Sequence, residues 1–261
     1  MSLSTAEVAA AGDAWVWSPP DAEVVATDGY TLVRLPDYYE FDLSVVSFTP
    51  AGPLGPAVDA LLERARTFDL PILDWQVLIG APAGLAAELA ARGGRVKLEL
   101  EVLAADLTGG APALRPPELD VTTRWATDPE TFRDAAVLQQ SAFGGELPPA
   151  DRFEAAAARN RASIPAGRGG TLVAYLDGAP VGSVGIELVD GVARLTGGVV
   201  AERWRGHGVY RALVGARLAY AAAHGARMAL VKANPATSGP ILRKVGFTPF
   251  GIEPVYAVPL R

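Results

Sequence analysis

At 261 residues, half of them hydrophobic and a fifth charged, the chain has material for one large globular domain or two small ones. A net charge of −6 argues against nucleic acid or an anionic membrane as the main partner, since both require a basic footprint. Cysteine is absent and only His207 and His224 represent histidine. Disulfides, thiolate metal sites and cysteine nucleophiles are therefore excluded, a histidine-rich zinc centre is disfavoured, and no metal is expected. No uncharged run reaches membrane length, and MSLSTAEVAAAGDAW lacks a basic-then-apolar leader, so a cytoplasmic location is expected.

In chain order, the first punctuation is the proline- and glycine-rich stretch TGGAPALRPPEL, residues 108–119. It reads as a linker between an N-terminal part, 1–107, and a C-terminal part, 120–261. Beyond it, Asp128-Pro129-Glu130 has the order N-cap, first-turn proline and first-turn acid, which predicts a helix through about Ala142. A second helix is expected over about Ala150–Arg161. Next come TLVAYL, Asp177-Gly178, PVGSVGIELV, Asp190-Gly191 and VARLTGGVVA. Two Asp-Gly pairs between apolar runs predict a three-stranded antiparallel meander.

The stretch ERWRGHGVYRALV follows at residues 202–214. Val209, Leu213, Val214, Leu218 and Ala221 then line one face of a helix. ARMALVKAN predicts a strand, SGPILRKVG a short helix, and FTPFGIEPVYAVPL a closing pair of strands or one bent strand. The strand–helix–strand passage implies a parallel pair within a mixed sheet. The fold class is α+β: a mixed, mostly antiparallel sheet flanked by helices.

The first part echoes the second. Gly55 lies 153 positions before Gly208, and the same offset carries Arg64 to Arg217, Pro82-Ala83 to Pro235-Ala236, Leu89 to Leu242 and Gly93 to Gly246. The register holds without a gap and element types agree along it, which points to an internal repeat. Gly52-Pro-Leu-Gly55-Pro stands opposite Arg205-Gly-His-Gly208-Val. The prolines remove amide donors and the arginine is gone, so the first copy is poorly equipped to hold an anion.

Three glycine patterns put an anion at a helix N-terminus. The phosphate loop needs G-x-x-x-x-G-K-[ST], which is absent. The dinucleotide fingerprint needs a glycine or alanine where this chain has Arg211. The third pattern, Arg/Gln-x-x-Gly-x-Gly/Ala after an antiparallel meander, fits. With VVAERWRGHGVYRAL and the later Gly246-Phe247, residues 120–261 resemble the GNAT superfamily of acyl-CoA-dependent N-acyltransferases, in a tandem form with a degenerate N-terminal copy.

That resemblance implies acetyl-CoA as acyl donor. Arg205, Gly206, His207, Gly208, Val209 and Tyr210 would surround its pyrophosphate, with amides and helix dipole supplying the attraction. Val199, Val200 and Ala201 would offer backbone groups to the pantetheine arm, and Asn234, where the following strand–helix segment begins, would also bind the cofactor. Tyr210 departs from the pattern, which favours a small residue there. Glu187 is the carboxylate placed to serve as base by family analogy. The tyrosine that many members carry four residues before Gly-Phe, to protonate the departing thiolate, is Leu242 here. Tyr256 or Tyr210 could take its place. Phe143-Gly144-Gly145 falls where the acceptor-binding loop lies. The expected activity is acetyl transfer to a primary amine of a small molecule. A non-catalytic acyl-CoA sensor and a peptide or protein N-acetyltransferase remain alternatives, and a homodimer is in keeping with the family.

Overall fold

The computed structural model describes residues 3–39 and 41–261. Met1 and Ser2, part of the stretch read for a leader, and Glu40 lie outside it. The chain forms two compact units, one made of residues 4–102 with 250–261 and the other of 103–249. The C-terminal twelve residues thus group with the first unit.

The first unit runs α1 (Thr5–Asp13), β1 (Glu23–Ala26), β2 (Tyr30–Arg34), β3 (Leu43–Phe48), α2 (Leu54–Arg66), β4 (Ile72–Gln76), α3 (Leu85–Ala91) and the start of β5 (Arg95–Asp106). The strand β11 (Thr248–Pro259) completes it from the far end of the sequence. Strands β1 to β3 form an antiparallel meander, β3 runs parallel to β4, and β11 lies antiparallel to β4 with Val255 opposite Gln76 and Pro259 opposite Ile72. Its core gathers Leu32, Leu43, Val58, Leu61, Leu73, Trp75, Leu89, Val258 and Leu260.

The second unit contains the end of β5, then β6 (Thr122–Trp125), α4 (Pro129–Phe143), α5 (Ala150–Ser163), β7 (Gly169–Leu176), β8 (Ala179–Val189), β9 (Val192–Val200), α6 (Val209–Ala223), β10 (Met228–Ala233) and α7 (Ser238–Lys244). Its strand order is β10-β9-β8-β7-β6, with the end of β5 beside β10. The expected meander is present. Asp177, Gly178, Asp190 and Gly191 all have positive φ, the backbone that two-residue hairpin turns demand. Asp128 caps α4, accepting from the Thr131 N–H at 2.8 Å, with Pro129 in the first turn. The closing segment is the single strand β11 and not a pair. β6, an edge strand of four residues, has no counterpart in the sequence reading.

Residues 108–119 form no helix or strand, yet they are not loose within the second unit. Arg211 Nε donates to the Arg115 carbonyl at 2.7 Å and Arg211 Nη2 to that of Pro116 at 3.2 Å. Leu114, Leu119 and Val121 pack against the apolar clusters that hold α6. The stretch is a strap along that helix.

The repeat offset of 153 carries α3, residues 85–91, onto α7, residues 238–244, and β5, residues 95–106, onto β11, residues 248–259. Sequence identity along this register is low, but the boundaries of these two pairs coincide, while α2 and β4 fall within a few residues of α6 and β10.

Candidate active site

β9 is paired along its whole length on one side only. β8 follows it from Val189–Val192 to Gly182–Val200. On the other side β10 pairs parallel with Val192–Leu195, through Met228–Val231. Among the described residues no strand pairs with Thr196–Val200 on that side. The strand also bulges there: Gly185 faces Thr196 but Ser183 faces Val199, so β9 carries one extra residue, and Gly197 takes φ of 54°.

Strand alternation decides which backbone groups the open side receives. The Ala201 N–H donates to Val181 of β8 at 2.9 Å, and Val199, two residues back, turns its groups the same way. The Val200 N–H and the carbonyls of Gly198 and Val200 consequently point to the open side. Of the expected trio Val199, Val200 and Ala201, it is Val200 that presents a free-side amide. Val199 and Val200 also anchor the strand, their side chains buried on opposite faces, Val199 toward α4 and Val200 toward α6.

The chain leaves β9 through a short 3-10 turn, Glu202–Trp204, and enters α6 through two left-handed glycines, Gly206 (φ 84°) and Gly208 (φ 85°). Gly208 is the N-cap of α6, and among the described residues no side chain caps the helix. The first-turn amides are left for another acceptor. The helix holds without a cap because Val209, Leu213, Val214 and Leu218 are each at most 1% exposed. Each such side chain contributes about 1.5–3 kcal/mol, against about 1 kcal/mol for an N-cap. A side chain at Gly208 would meet both the positive φ and the Pro117 Cα, which lies 3.1 Å from where its Cβ would stand.

The remaining expected contacts are distributed unevenly. Arg205 Nε donates to the Val200 carbonyl at 3.2 Å, which lays its side chain across the end of β9. His207 is exposed, with its ring 6.4 Å from that of Trp204. Val209 is buried by its side chain, so its backbone alone is available. Asn234 Oδ1 accepts from the Ala236 and Thr237 amides at 2.9 and 3.2 Å, and shapes the turn before α7. Tyr210 turns its ring onto Gly198: a Cβ on that glycine would sit 2.9 Å from Tyr210 Cε2. Leu242 is fully buried in the core around α6 and β10.

Glu187 stands opposite Arg194 across β8 and β9, its Oε2 3.9 Å from Arg194 Nη1, with 43% of its side chain exposed. It lies two residues along β8 from Gly185, where the open stretch begins. Gly144, with φ of 82°, ends α4 beside the exposed Phe143. Tyr256 belongs to the first unit, in register with Trp75 and partly buried against that unit's core.

The sequence reading missed three polar groups of the second unit. Gln139 Nε2 of α4 reaches the Gly197 carbonyl at 3.2 Å and Ser183 Oγ at 3.4 Å, tying the helix to the bulge. Ser183 is fully buried. Arg217, read only as a repeat match, is 1% exposed. Gln139 is the first of two adjacent glutamines in an amphipathic helix, and nothing in its spacing marks it as inward. Arg217 extends the apolar stripe of α6, and that misplaced charge was a readable signal.

Comparison with known proteins gives a family match and likenesses of fold. Residues 132–247 match the Acetyltransferase (GNAT) family. No curated protein matches the sequence significantly. Among solved structures, a GCN5-related N-acetyltransferase from Sphaerobacter thermophilus aligns with TM-score 0.67 and 19% identity over 89% of this chain and 77% of that one. One from Kribbella flavida aligns with TM-score 0.63 and 18% identity over 91% and 89%. A tandem GNAT protein from the clavulanic acid biosynthesis pathway aligns with TM-score 0.59 and 23% identity over 98% and 88%. These likenesses place the fold. The family match is to residues 132–247, less than half of the chain, and takes in both the unpaired stretch of β9 and the uncapped start of α6.

Proposed function

We propose that the chain transfers an acetyl group from acetyl-CoA to a primary amine of a small molecule. The observation that carries this reading is the uncapped N-terminus of α6 behind two left-handed glycines, continuous with a strand edge left without a neighbour. A diphosphate needs converging donors and positive potential, which an open helix start provides. The amides of the pantetheine arm need partners in an otherwise closed sheet, which the Val200 N–H and the Gly198 and Val200 carbonyls provide. Arg205 adds charge beside the loop. The residues present therefore fit the donor substrate, with one side chain, Tyr210, larger than the pattern favours.

In this reading the amine must reach the thioester carbonyl as a free base, because a protonated nitrogen has no lone pair. An alkyl amine has a pKa of about 10.4, so a base directly or through water raises the reactive fraction. Glu187 is the carboxylate we assign to that task. The absence of a metal from this scheme follows from the chemistry, in which polarisation by a backbone amide suffices. We place the protein in the cytoplasm; among the described residues no helix is long and apolar enough to cross a membrane.

The test is release of free thiol from acetyl-CoA across a panel of small amines, paired with donor affinity. Gly208→Val, with its melting temperature recorded, is expected to weaken acetyl-CoA binding by at least about tenfold, since a β-branched residue resists positive φ and crowds the phosphate. A folded Gly208→Val protein that binds acetyl-CoA like wild type removes this site. A wild-type protein that binds acetyl-CoA but turns over no amine favours the sensor reading, which is motivated by the missing hydroxyl at Leu242 and by the degenerate first copy.

A further inference from the structure

Among the described residues, Arg217 is a buried cation with no carboxylate to pair with it. It is 1% exposed on the inner face of α6. Its Nη1 donates to the Gly185 carbonyl at 3.2 Å and its Nε to the Leu213 carbonyl at 3.4 Å, while Nη2 has no hydrogen-bond partner. Burial pushes the Arg217 pKa down, and the Tyr210 hydroxyl is the group that favours the charged form. Desolvating an ion without a partner is among the costliest things a fold can do, and apolar side chains of similar volume usually serve stability better. A charge kept on such terms suits an anion that exists only transiently.

The surroundings identify that anion. Gly185 opposes Thr196 at the start of the open stretch of β9, and Tyr210, seven residues before Arg217 on α6, lies against Gly198 within it. The hydroxyl oxygen of Tyr210 would be 3.3 Å from a Cβ on Gly198. The pair therefore sits behind the strand segment along which the thioester of the proposed donor would run. The first copy of the repeat provides an internal contrast. Opposite Tyr210 it has Ala57, and opposite Arg217 it has Arg64, which is exposed, bonded to Thr67 Oγ1 at 3.2 Å and stacked over Phe68. Tyrosine and buried arginine occur together in the copy that has the open loop, and neither condition holds in the other.

We propose that Tyr210 donates the proton to the departing coenzyme A thiolate and that Arg217 is its positioning residue, meeting the charge left on the phenolic oxygen. This rests on the acetyltransferase reading above. The neutral amine nitrogen attacks the thioester carbonyl carbon, the C–N bond forms, and the C–S bond breaks with its electron pair leaving on sulfur. Sulfur takes the Tyr210 proton. The phenolate then regains a proton through water, balanced by the one shed from the amine nitrogen.

The experiment compares wild type, Tyr210→Phe, Arg217→Met and the double variant, each for kcat of thiol release, acetyl-CoA affinity and melting temperature. Tyr210→Phe keeps the ring on Gly198 and removes only the hydroxyl; kcat is expected to fall about 10²-fold, the usual scale for a lost proton donor, with acetyl-CoA affinity unchanged. Arg217→Met is expected to hold or raise the melting temperature while lowering kcat by about tenfold or more, a combination that a structural role would not give. The double variant is expected to be no slower than Tyr210→Phe, as for two members of one relay. Full kcat in Tyr210→Phe, a loss confined to acetyl-CoA affinity, or a collapse of kcat in Tyr256→Phe with Tyr210→Phe fully active, each overturns the inference. A lowered melting temperature with unchanged kcat in Arg217→Met overturns its role. Thiol release by wild type remains the test of the broader reading, so a working enzyme with an active Tyr210→Phe variant sinks this inference alone.

Discussion

Glu187 and Arg194 show how single residues divide the work of the site. They face each other on β8 and β9, at the end of the paired region and just short of the open stretch. Arg194 is buried and Glu187 is partly exposed, so the carboxylate keeps access to water while its neighbour fixes its direction. Glu187→Gln preserves shape and removes the carboxylate proposed as base; kcat for an alkyl amine is expected to fall about 10²-fold, with donor affinity unchanged, as measured by thiol release and by titration of acetyl-CoA. Unchanged kcat would move the base elsewhere. The loop glycines were legible in the sequence because their spacing is local: Gly206 and Gly208 fall within one turn of backbone. Tyr210 as a candidate proton donor and the charge of Arg217 in an apolar stripe were readable singly; Gln139, Ser183 and the pairing of Tyr210 with Arg217 were not, since each acquires meaning only when α4 or α6 is laid on a strand bulge that no local pattern announces. Val199, Val200 and Ala201 were located correctly as a strand end, but which of their amides faces outward depends on pairing with Val181.

Among elements, α4 and α6 start in opposite ways. α4 satisfies its own N-terminus through Asp128, whose pKa lies below its ordinary value because the Thr131 backbone N–H, foremost, bonds to the charged form. A carboxylate with a depressed folded pKa contributes stability above its unfolded pKa of about 3.9 and loses it as pH falls through the lower folded value. Asp128→Ala is expected to cost about 1 kcal/mol at pH 7, and the difference from wild type should shrink toward zero in melts taken progressively below pH 4. A deficit that persists in acid would assign the loss to packing instead. α6, lacking any such cap, keeps its amides for a ligand. In the first unit the equivalent helix, α2, begins at Pro53, and the Glu88 carboxylate lies 3.4 Å from a Cβ on Gly55. Arg92 clasps Glu88, Asp59 and the Gly55 carbonyl. An acid stands where a phosphate would need to approach, a physical account of degeneracy that the prolines alone only suggested. α1 was readable but overlooked: Ser4 and Glu7 form a reciprocal capping box. β6 was less so, because four residues at a sheet edge carry too little alternation to stand out.

For the molecule as a whole, the division into residues 4–102 with 250–261 and residues 103–249 has a measurable consequence. β11 with the residue after it supplies the antiparallel neighbour of β4, buries Val258 and Leu260, and brings in Glu253, which accepts from Gln76 Nε2 and from the Ile79 N–H. Two apolar side chains at about 1.5–3 kcal/mol each, with a strand pairing besides, are a large share of the 5–15 kcal/mol by which a domain is usually stable. Truncation after Pro249 is therefore expected to abolish hydrogen-exchange protection over residues 72–76, while residues 228–233 of the second unit stay protected. Equal loss in both segments would mean that the two units are one cooperative body.

That borrowed strand also sets a timetable for biosynthesis. Domains ordinarily settle in the order in which they leave the ribosome, but here the half made first lacks the antiparallel neighbour of β4 until β11 has emerged. Residues 103–249, made later, have their strands and helices complete sooner. The nascent residues 4–102 must wait with an unfinished sheet edge, a condition that invites chaperone attention and makes slow translation of residues 248–259 a hazard for strands made well before them.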